Sequence, residues 1–254
     1  MNKKNIISFG VSTGPYSKFV NEIIDRGLRH ESASICVANV HMCIEAWRDQ
    51  TFAEVVNNSE IVTPDGMPLA KALQLLYGIS QDRVAGMDLM PDLMEAAGVR
   101  GASIFLYGST PEVLKRISVK IANNYPNLKM AGMISPPFRP LSTEEEQADI
   151  ETINKSGANL ILIALGCPKQ ERWMAQHKGK IKAVMIGVGG AFPVFAGLQK
   201  RAPQWMCDTS LEWLYRLIQE PRRLFKRYFI TNSLFILLLA REFLKKWVGT
   251  IDKG

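Results

Sequence analysis

The stretch IVTPDGMPLA, residues 61–70, decides how this chain is read. An apolar run stops on Thr63, Pro64, Asp65 and Gly66 and hands over at once to a helical pattern. Pro64 fixes its own φ and keeps Thr63 extended, and Gly66 frees the next step of the backbone. Asp65 is therefore held on a corner between a strand and a helix. Two readings fit an acid there: it caps the helix, as Asp often does, or it faces a ligand, because the carboxyl ends of strands in parallel α/β sheets are where ligands bind.

Working outward, short apolar runs near 33–38, 60–65, 102–108, 129–134, 159–165 and 183–188 alternate with helical patterns near 15–27, 40–57, 67–77, 87–98, 111–124, 143–155 and 168–178. Parallel neighbours need crossover connections, so this order predicts an α/β fold with a mostly parallel sheet and helices on both faces. Residues 1–200 form the expected core and 201–254 a helical appendage.

With 254 residues, 47% apolar and 22% charged, the chain can bury a substantial core and has the composition of a globular protein. Its four cysteines form no C-x-x-C pair and it has three histidines, which suggests neither a zinc site nor a disulfide framework. Reduced thiols in a cytosolic compartment are the simplest reading. The opening MNKKNIISFG does not resemble a signal peptide.

The charge is unevenly placed. From Gly197 onward there are 11 Lys and Arg against 5 Asp and Glu, whereas residues 1–196 carry 20 against 19. In this tail QWMCDTSLEWLYRLIQEP reads as a helix ended by Pro221, followed by RRLFKRYFITNSLFILLLAREFLKKW. The apolar run 228–240 is too short and too polar to span a bilayer, which takes about 20 residues. Leu224, Phe225, Tyr228, Phe229, Phe235, Ile236, Leu239 and Phe243 can share one broad helical face flanked by basic groups. Such a helix suits an anionic membrane surface; the alternative is a terminal helix docked on the protein's own core or on a second copy in a homo-oligomer. Nucleic acid is disfavoured, since a strand-binding groove has no use for Phe235–Leu239.

Three further loops end predicted strands. In LYGSTPEV, Gly108, Thr110 and Pro111 set up a helix start whose free N–H groups suit phosphate. In ALGCPKQE, Lys169 and Gln170 occupy a first helical turn, where a cation opposes the helix dipole unless an anion is brought to it; a solvated lysine is the alternative. In GVGGAF, Gly189 and Gly190 permit close backbone approach to a ligand. No G-x-G-x-x-G with a following acid is present, and no Asp-x-Asp pair for a metal on a diphosphate, so no nicotinamide, other cofactor or metal is expected.

Together TPDG, RVAGMDLM, LYGSTPEV, ALGCPKQE, GVGGAF and RAPQWMCDTSLEWLYRLIQEPRR resemble, in order and spacing, the WecG/TagA/CpsF glycosyltransferases of bacterial cell-surface polymer synthesis. The resemblance runs from about residue 6 to 230. It implies a Rossmann-like core, a UDP-sugar donor, an acceptor saccharide on polyprenyl diphosphate in the cytoplasmic leaflet, peripheral attachment to the inner membrane face, and inversion without a metal. By position, Asp65 matches the family's general base and Gln170 a polar active-site residue, while Asn39 shapes the pocket beside Asp65. Arg216, Arg222, Arg223 and Arg227 lie in the basic appendage, where some of them close over a diphosphate. Arg83 and Asp88 match motif positions as an ion pair or as substrate contacts. Two positions depart from the pattern: Pro193 stands where the family usually has an acid, and Val37 where some members have Thr. The donor, N-acetylmannosamine, its uronic acid or glucose among members, is left open. The rival readings are a nicotinamide-using epimerase or reductase, and a non-catalytic membrane-surface module binding a lipid-linked precursor or partner transferase.

Overall fold

The computed structural model describes residues 1–209 and 211–251. In chain order the elements are β1 (Asn2–Ile6), β2 (Phe9–Thr13), α1 (Tyr16–Leu28), β3 (Ala33–Ala38), α2 (Val40–Arg48), α3 (Gln50–Asn57), β4 (Ile61–Pro64), α4 (Met67–Tyr77), α5 (Gly86–Arg100) and β5 (Ser103–Gly108). There follow α6 (Pro111–Asn124), β6 (Lys129–Ile134), α7 (Thr143–Lys155), β7 (Leu160–Ala164), α8 (Lys169–His177), β8 (Val184–Gly187), α9 (Ala191–Phe195), α10 (Gln204–Asp208), α11 (Glu212–Gln219) and α12 (Pro221–Ile251).

Six strands form one parallel sheet in the order β4-β3-β8-β7-β5-β6. Both faces are covered, and the period of two along each strand sorts its side chains between two cores. Ile35, Leu106, Leu162 and Ile186 join α1, α5 and α6 on one face. Cys36, Phe105, Ile161 and Met185 join α2, α3, α8 and α12 on the other. The expected α/β architecture with helices on both faces is what is found.

Four local readings are corrected. The first strands form an antiparallel hairpin that the sequence pattern missed: β1 is largely polar, and its turn at Ile7 and Ser8 lacks the usual Gly or Asn although Ile7 has φ 58°. The helix expected over 40–57 breaks at Asp49, whose carboxylate accepts the Phe52 N–H at 3.1 Å and caps α3. Residues 204–219 form two helices rather than one, and Pro221 opens α12 instead of merely ending what precedes it.

Lastly, the apolar residues of α12 do not share one face. Leu224 and Phe235 are 2% and 4% exposed, and Phe235 joins the core beside α2. Phe225, Phe229 and Ile236 are 63%, 68% and 66% exposed. One side of α12 thus docks on the chain's own core, against α2 and α4, and the other is an uncovered apolar stripe. Among the described residues no helix is long and apolar enough to cross a membrane.

This division predicts different costs on the two sides. Phe235→Ala should destabilise the fold by about 3–5 kcal/mol in urea denaturation, as for other buried Phe truncations, whereas Phe229→Ala should stay within about 0.5 kcal/mol.

Candidate active site

Strands β3, β4, β7 and β8 end side by side, and the loops after them carry Asn39, Asp65, Gly166–Cys167 and Gly189–Gly190. These residues line a cavity of about 370 Å³. Its other wall is the C-terminal segment, through Glu212, Trp213 and Arg216 of α11 and Arg227, Tyr228 and Thr231 of α12. Core and appendage therefore build one cavity between them, at the carboxyl edge where parallel sheets take ligands.

Asp65 stands at its base, partly buried. The Asp65 N–H donates to the Ala38 carbonyl at 2.8 Å, fixing the corner to β3. Its Oδ1 accepts the Gly86 N–H at 3.0 Å, and its Oδ2 accepts from Asn39 Nδ2 at 3.3 Å. The helix-cap reading of Asp65 falls away: the N-cap of α4 is Gly66, with no side-chain cap bond. Asn39 is the capping residue, its Oδ1 accepting the Met42 N–H at 3.1 Å, so the bond that starts α2 also aims the Asn39 amide at Asp65. Burial, and then the nearby charge of Glu212, push the Asp65 carboxyl up to about 6, against the opposing pull of Arg216, the Gly86 N–H and Asn39.

Cations meet the carboxylates from two sides. Arg83 donates to Asp88 at 2.7 Å and to Glu212 at 3.1 Å, and Arg201 also pairs with Asp88. Arg216 pairs with Glu212 at 3.0 Å. The Arg83–Asp88 ion pair is present, and Arg83 lines the cavity as well. Arg227 reaches the cavity from α12 with its guanidinium 5.3 Å from the Tyr228 ring centre. Among the described residues, Arg227 Nε and His41 Nδ1 are buried without a hydrogen-bond partner. Burial, then the charge of Arg227, hold the His41 imidazole below its ordinary value.

Gln170 is buried against the end of β8. A Cβ at Gly187 would lie 2.8 Å from its Nε2, and one at Gly189 3.3 Å from its Oε1. The glycine cluster thus admits the Gln170 amide; at Gly190 the nearest atom to a Cβ would be Arg216 Nη1, at 3.8 Å. Gln170 Nε2 donates to Glu171 Oε1 at 2.7 Å, and burial pushes the Glu171 carboxyl up to about 7.

The structure brings Asn39, Asp65, Gln170, Gly189, Gly190, Arg216 and Arg227 to one cavity. Gly108, Lys169 and Arg222 do not line it. Gly108 has φ 104° and passes so close to β7 that a Cβ would lie 2.5 Å from the Ala164 carbonyl oxygen. Lys169 and Arg222 are solvent-exposed, and the side chain of Arg223 lies outside the described residues. Pro193, on α9, is also absent from the cavity wall, whereas Val37 lines it. Among the described residues no three His, Cys, Asp or Glu side chains are placed to hold a metal ion.

Sequence reasoning gave no role to Glu212 or His41. Glu212 had one readable signal, the i,i+4 spacing to Arg216 on a strongly amphipathic segment. His41 had none, since only the packing of α12 on α2 encloses it.

Comparison with known proteins agrees with this geometry. The sequence profile of the glycosyl transferase WecG/TagA/CpsF family matches residues 4–249. The chain is 34% identical, over 215 residues, to an N-acetylglucosaminyldiphosphoundecaprenol N-acetyl-beta-D-mannosaminyltransferase of Bacillus subtilis (strain 168), covering 84% of this chain and 82% of that protein. A parallel sheet edge bearing a held carboxylate, a cationic roof from the C-terminal segment and this match have one conclusion: the chain belongs to the WecG/TagA/CpsF family of glycosyltransferases.

Proposed function

We propose that the protein is an inverting, metal-independent glycosyltransferase that moves a sugar from a UDP-sugar to a saccharide carried on polyprenyl diphosphate. The similarity to a mannosaminyltransferase acting on N-acetylglucosaminyldiphosphoundecaprenol supports N-acetylmannosamine as the donor sugar and that lipid-linked N-acetylglucosamine as the acceptor. The observation that carries the reading is Asp65, a carboxylate held by the Gly86 N–H and the Asn39 amide in a cavity that Arg83, Arg216 and Arg227 also line.

In this reaction Asp65 takes the proton from the attacking acceptor hydroxyl. A carboxyl near 6 is largely ionised at neutral pH yet more basic than a free aspartate, which suits a general base. The nucleotide diphosphate leaves on the opposite face of the sugar with growing negative charge, and Arg216 and Arg227 meet that charge with pre-aimed guanidinium groups. Asn39 keeps the Asp65 carboxylate turned into the cavity. Gln170 contributes a polar wall beside the glycines.

The exposed side of α12 supports peripheral attachment to a membrane. Phe225 and Phe229 stack with ring centres 6.3 Å apart on the solvent side, next to the exposed Arg222 and Lys226. Apolar side chains rimmed by cations suit the headgroup region of an anionic bilayer, to which each nearby Lys or Arg adds about 1 kcal/mol.

Asp65→Asn should lower kcat by about 10²–10⁴-fold, read as UDP release in the presence of EDTA from UDP-N-acetylmannosamine and a lipid-linked acceptor. Retained turnover would remove Asp65 as the base. In the wild type, kcat/KM should fall as pH drops through about 6.

The same substitution should act on stability with the opposite sign. Asp65 is harder to ionise folded than unfolded, so its ionisation opposes folding; that cost is absent well below the ordinary value of 3.8, grows as pH rises, and is fully present above about 6. Relative to wild type, Asp65→Asn should therefore gain up to about 3 kcal/mol of unfolding free energy at pH 8, read as a higher thermal midpoint there and not at pH 3. The doubly substituted Phe225→Ser/Phe229→Ser protein should keep its fold and lose most co-sedimentation with anionic lipid vesicles. Undiminished sedimentation would exclude this stripe as the membrane contact.

A further inference from the structure

Glu212 has an arrangement that the reaction itself does not require. Its two carboxylate oxygens are taken by two different guanidinium groups: Oε2 accepts from Arg83 at 3.1 Å and Oε1 pairs with Arg216 at 3.0 Å. A single anion therefore bridges two cations on the cavity wall, as a phosphate group would. Arg83 also pairs with Asp88, which Arg201 shares, so Arg83 is held by carboxylates on two sides before any ligand arrives. Glu212 is the first residue of α11, its side chain is 24% exposed, and it lines the cavity with both arginines. A rotation toward solvent is open to it from there.

We propose that Glu212 is an internal anion that holds the guanidinium groups of Arg83 and Arg216 in place while the cavity is empty and yields them to the diphosphate of the incoming nucleotide sugar. This rests on the nucleotide-sugar reading of the site. Two physical effects favour the exchange. A diphosphate carries more charge than a carboxylate and takes the same donors by bidentate hydrogen bonds. Glu212 gives up only a partly exposed ion pair and is repelled by the ligand that replaces it. In the empty state the bridge keeps Arg83 and Arg216 from repelling each other out of register, so the cations remain pre-aimed.

Glu212 also acts on Asp65. The groups that face it are Arg83, Arg201, Arg216, the Cys207 thiol and Asp65 itself. Its charge is the second cause, after burial, of the raised Asp65 carboxyl. Removing that charge must lower Asp65, and freeing Arg216 acts in the same direction. A diphosphate in Glu212's place restores a negative neighbour, so the base keeps its proton affinity through the exchange.

The test is calorimetric titration of UDP into the wild type, Glu212→Gln and Glu212→Ala at pH 8 and fixed ionic strength, with thermal midpoints confirming that each is folded. The expected result is UDP binding about 5–20-fold tighter in the variants, because a competing anion has been removed. A second reading is the acid limb of kcat/KM, which should lie at lower pH in Glu212→Gln than in the wild type. A purely structural role for Glu212 predicts weaker UDP binding in both variants. Unchanged or weaker UDP binding in both folded variants overturns the proposal while leaving the transferase reading intact. Failure of the wild type to bind UDP at all overturns the nucleotide-sugar reading, and this proposal with it.

Discussion

The burial of Phe235 in the core is the interaction on which the site depends. Through this face α12 leans on α2 and α4, the helices that begin just after Asn39 and Asp65. The helix that brings Arg227 over the cavity is thus seated on the elements that hold the proposed base and its partner. Packing of this kind is dense and transmits small displacements. A shift of α12 would move the cationic roof relative to Asp65, so the position of the appendage sets the geometry of the cavity.

Electrostatics then decides what the cavity can hold. Asp65 and Glu212 are two carboxylates lining one cavity, and the cost of placing them together is met by Arg83 and Arg216. The balance is incomplete by design of the geometry: Asp65 accepts only the Gly86 N–H and the Asn39 amide, with no direct guanidinium partner among the described residues, and its carboxyl stays raised. Arg83, by contrast, is tied on two sides by Asp88 and Glu212. A carboxylate without a guanidinium partner beside paired cations suits the proposed reaction, in which a proton is taken up on one side and an anion departs on the other.

Much of this was legible in the sequence. The strand-to-helix corner at Asp65 was marked by Pro64 and Gly66, whose backbone restrictions are local and need no tertiary context. The alternating apolar runs placed all six strands of the main sheet; five of them are buried on both faces and leave a continuous apolar signature, and the partly exposed edge strand β6 was marked by Met130, Ala131, Met133 and Ile134. The β1–β2 hairpin left no such mark, since β1 is polar and the turn relies on an isoleucine in a left-handed conformation. The split face of α12 was hidden for a different reason: periodicity shows which residues can share a side of a helix, but only the core shows which side is covered. Gly108 and Gly189 illustrate the same limit. Gly108 was readable as a turn before a helix start and Gly189 as a site of close approach to a ligand, yet the close neighbour is the Ala164 carbonyl in one case and the Gln170 amide in the other.

The two faces of α12 are linked by helical geometry. Successive residues turn by about 100° around the axis, so Leu224, Arg227, Tyr228, Thr231 and Phe235 fall within one sector while Phe225, Phe229 and Ile236 fall in the next. The inner sector supplies the buried anchors and the cavity wall, and the outer one the exposed stripe. Because Phe225 and Arg227 lie within a single turn, a lipid surface touching the stripe, as proposed above, would lie about one helix diameter, 10–12 Å, from Arg227. An acceptor whose saccharide is tethered to polyprenyl diphosphate needs this proximity, since its reacting hydroxyl cannot travel far from the bilayer. The amphipathic period of one helix therefore sets both where the protein would rest on a membrane and which way its cavity would face.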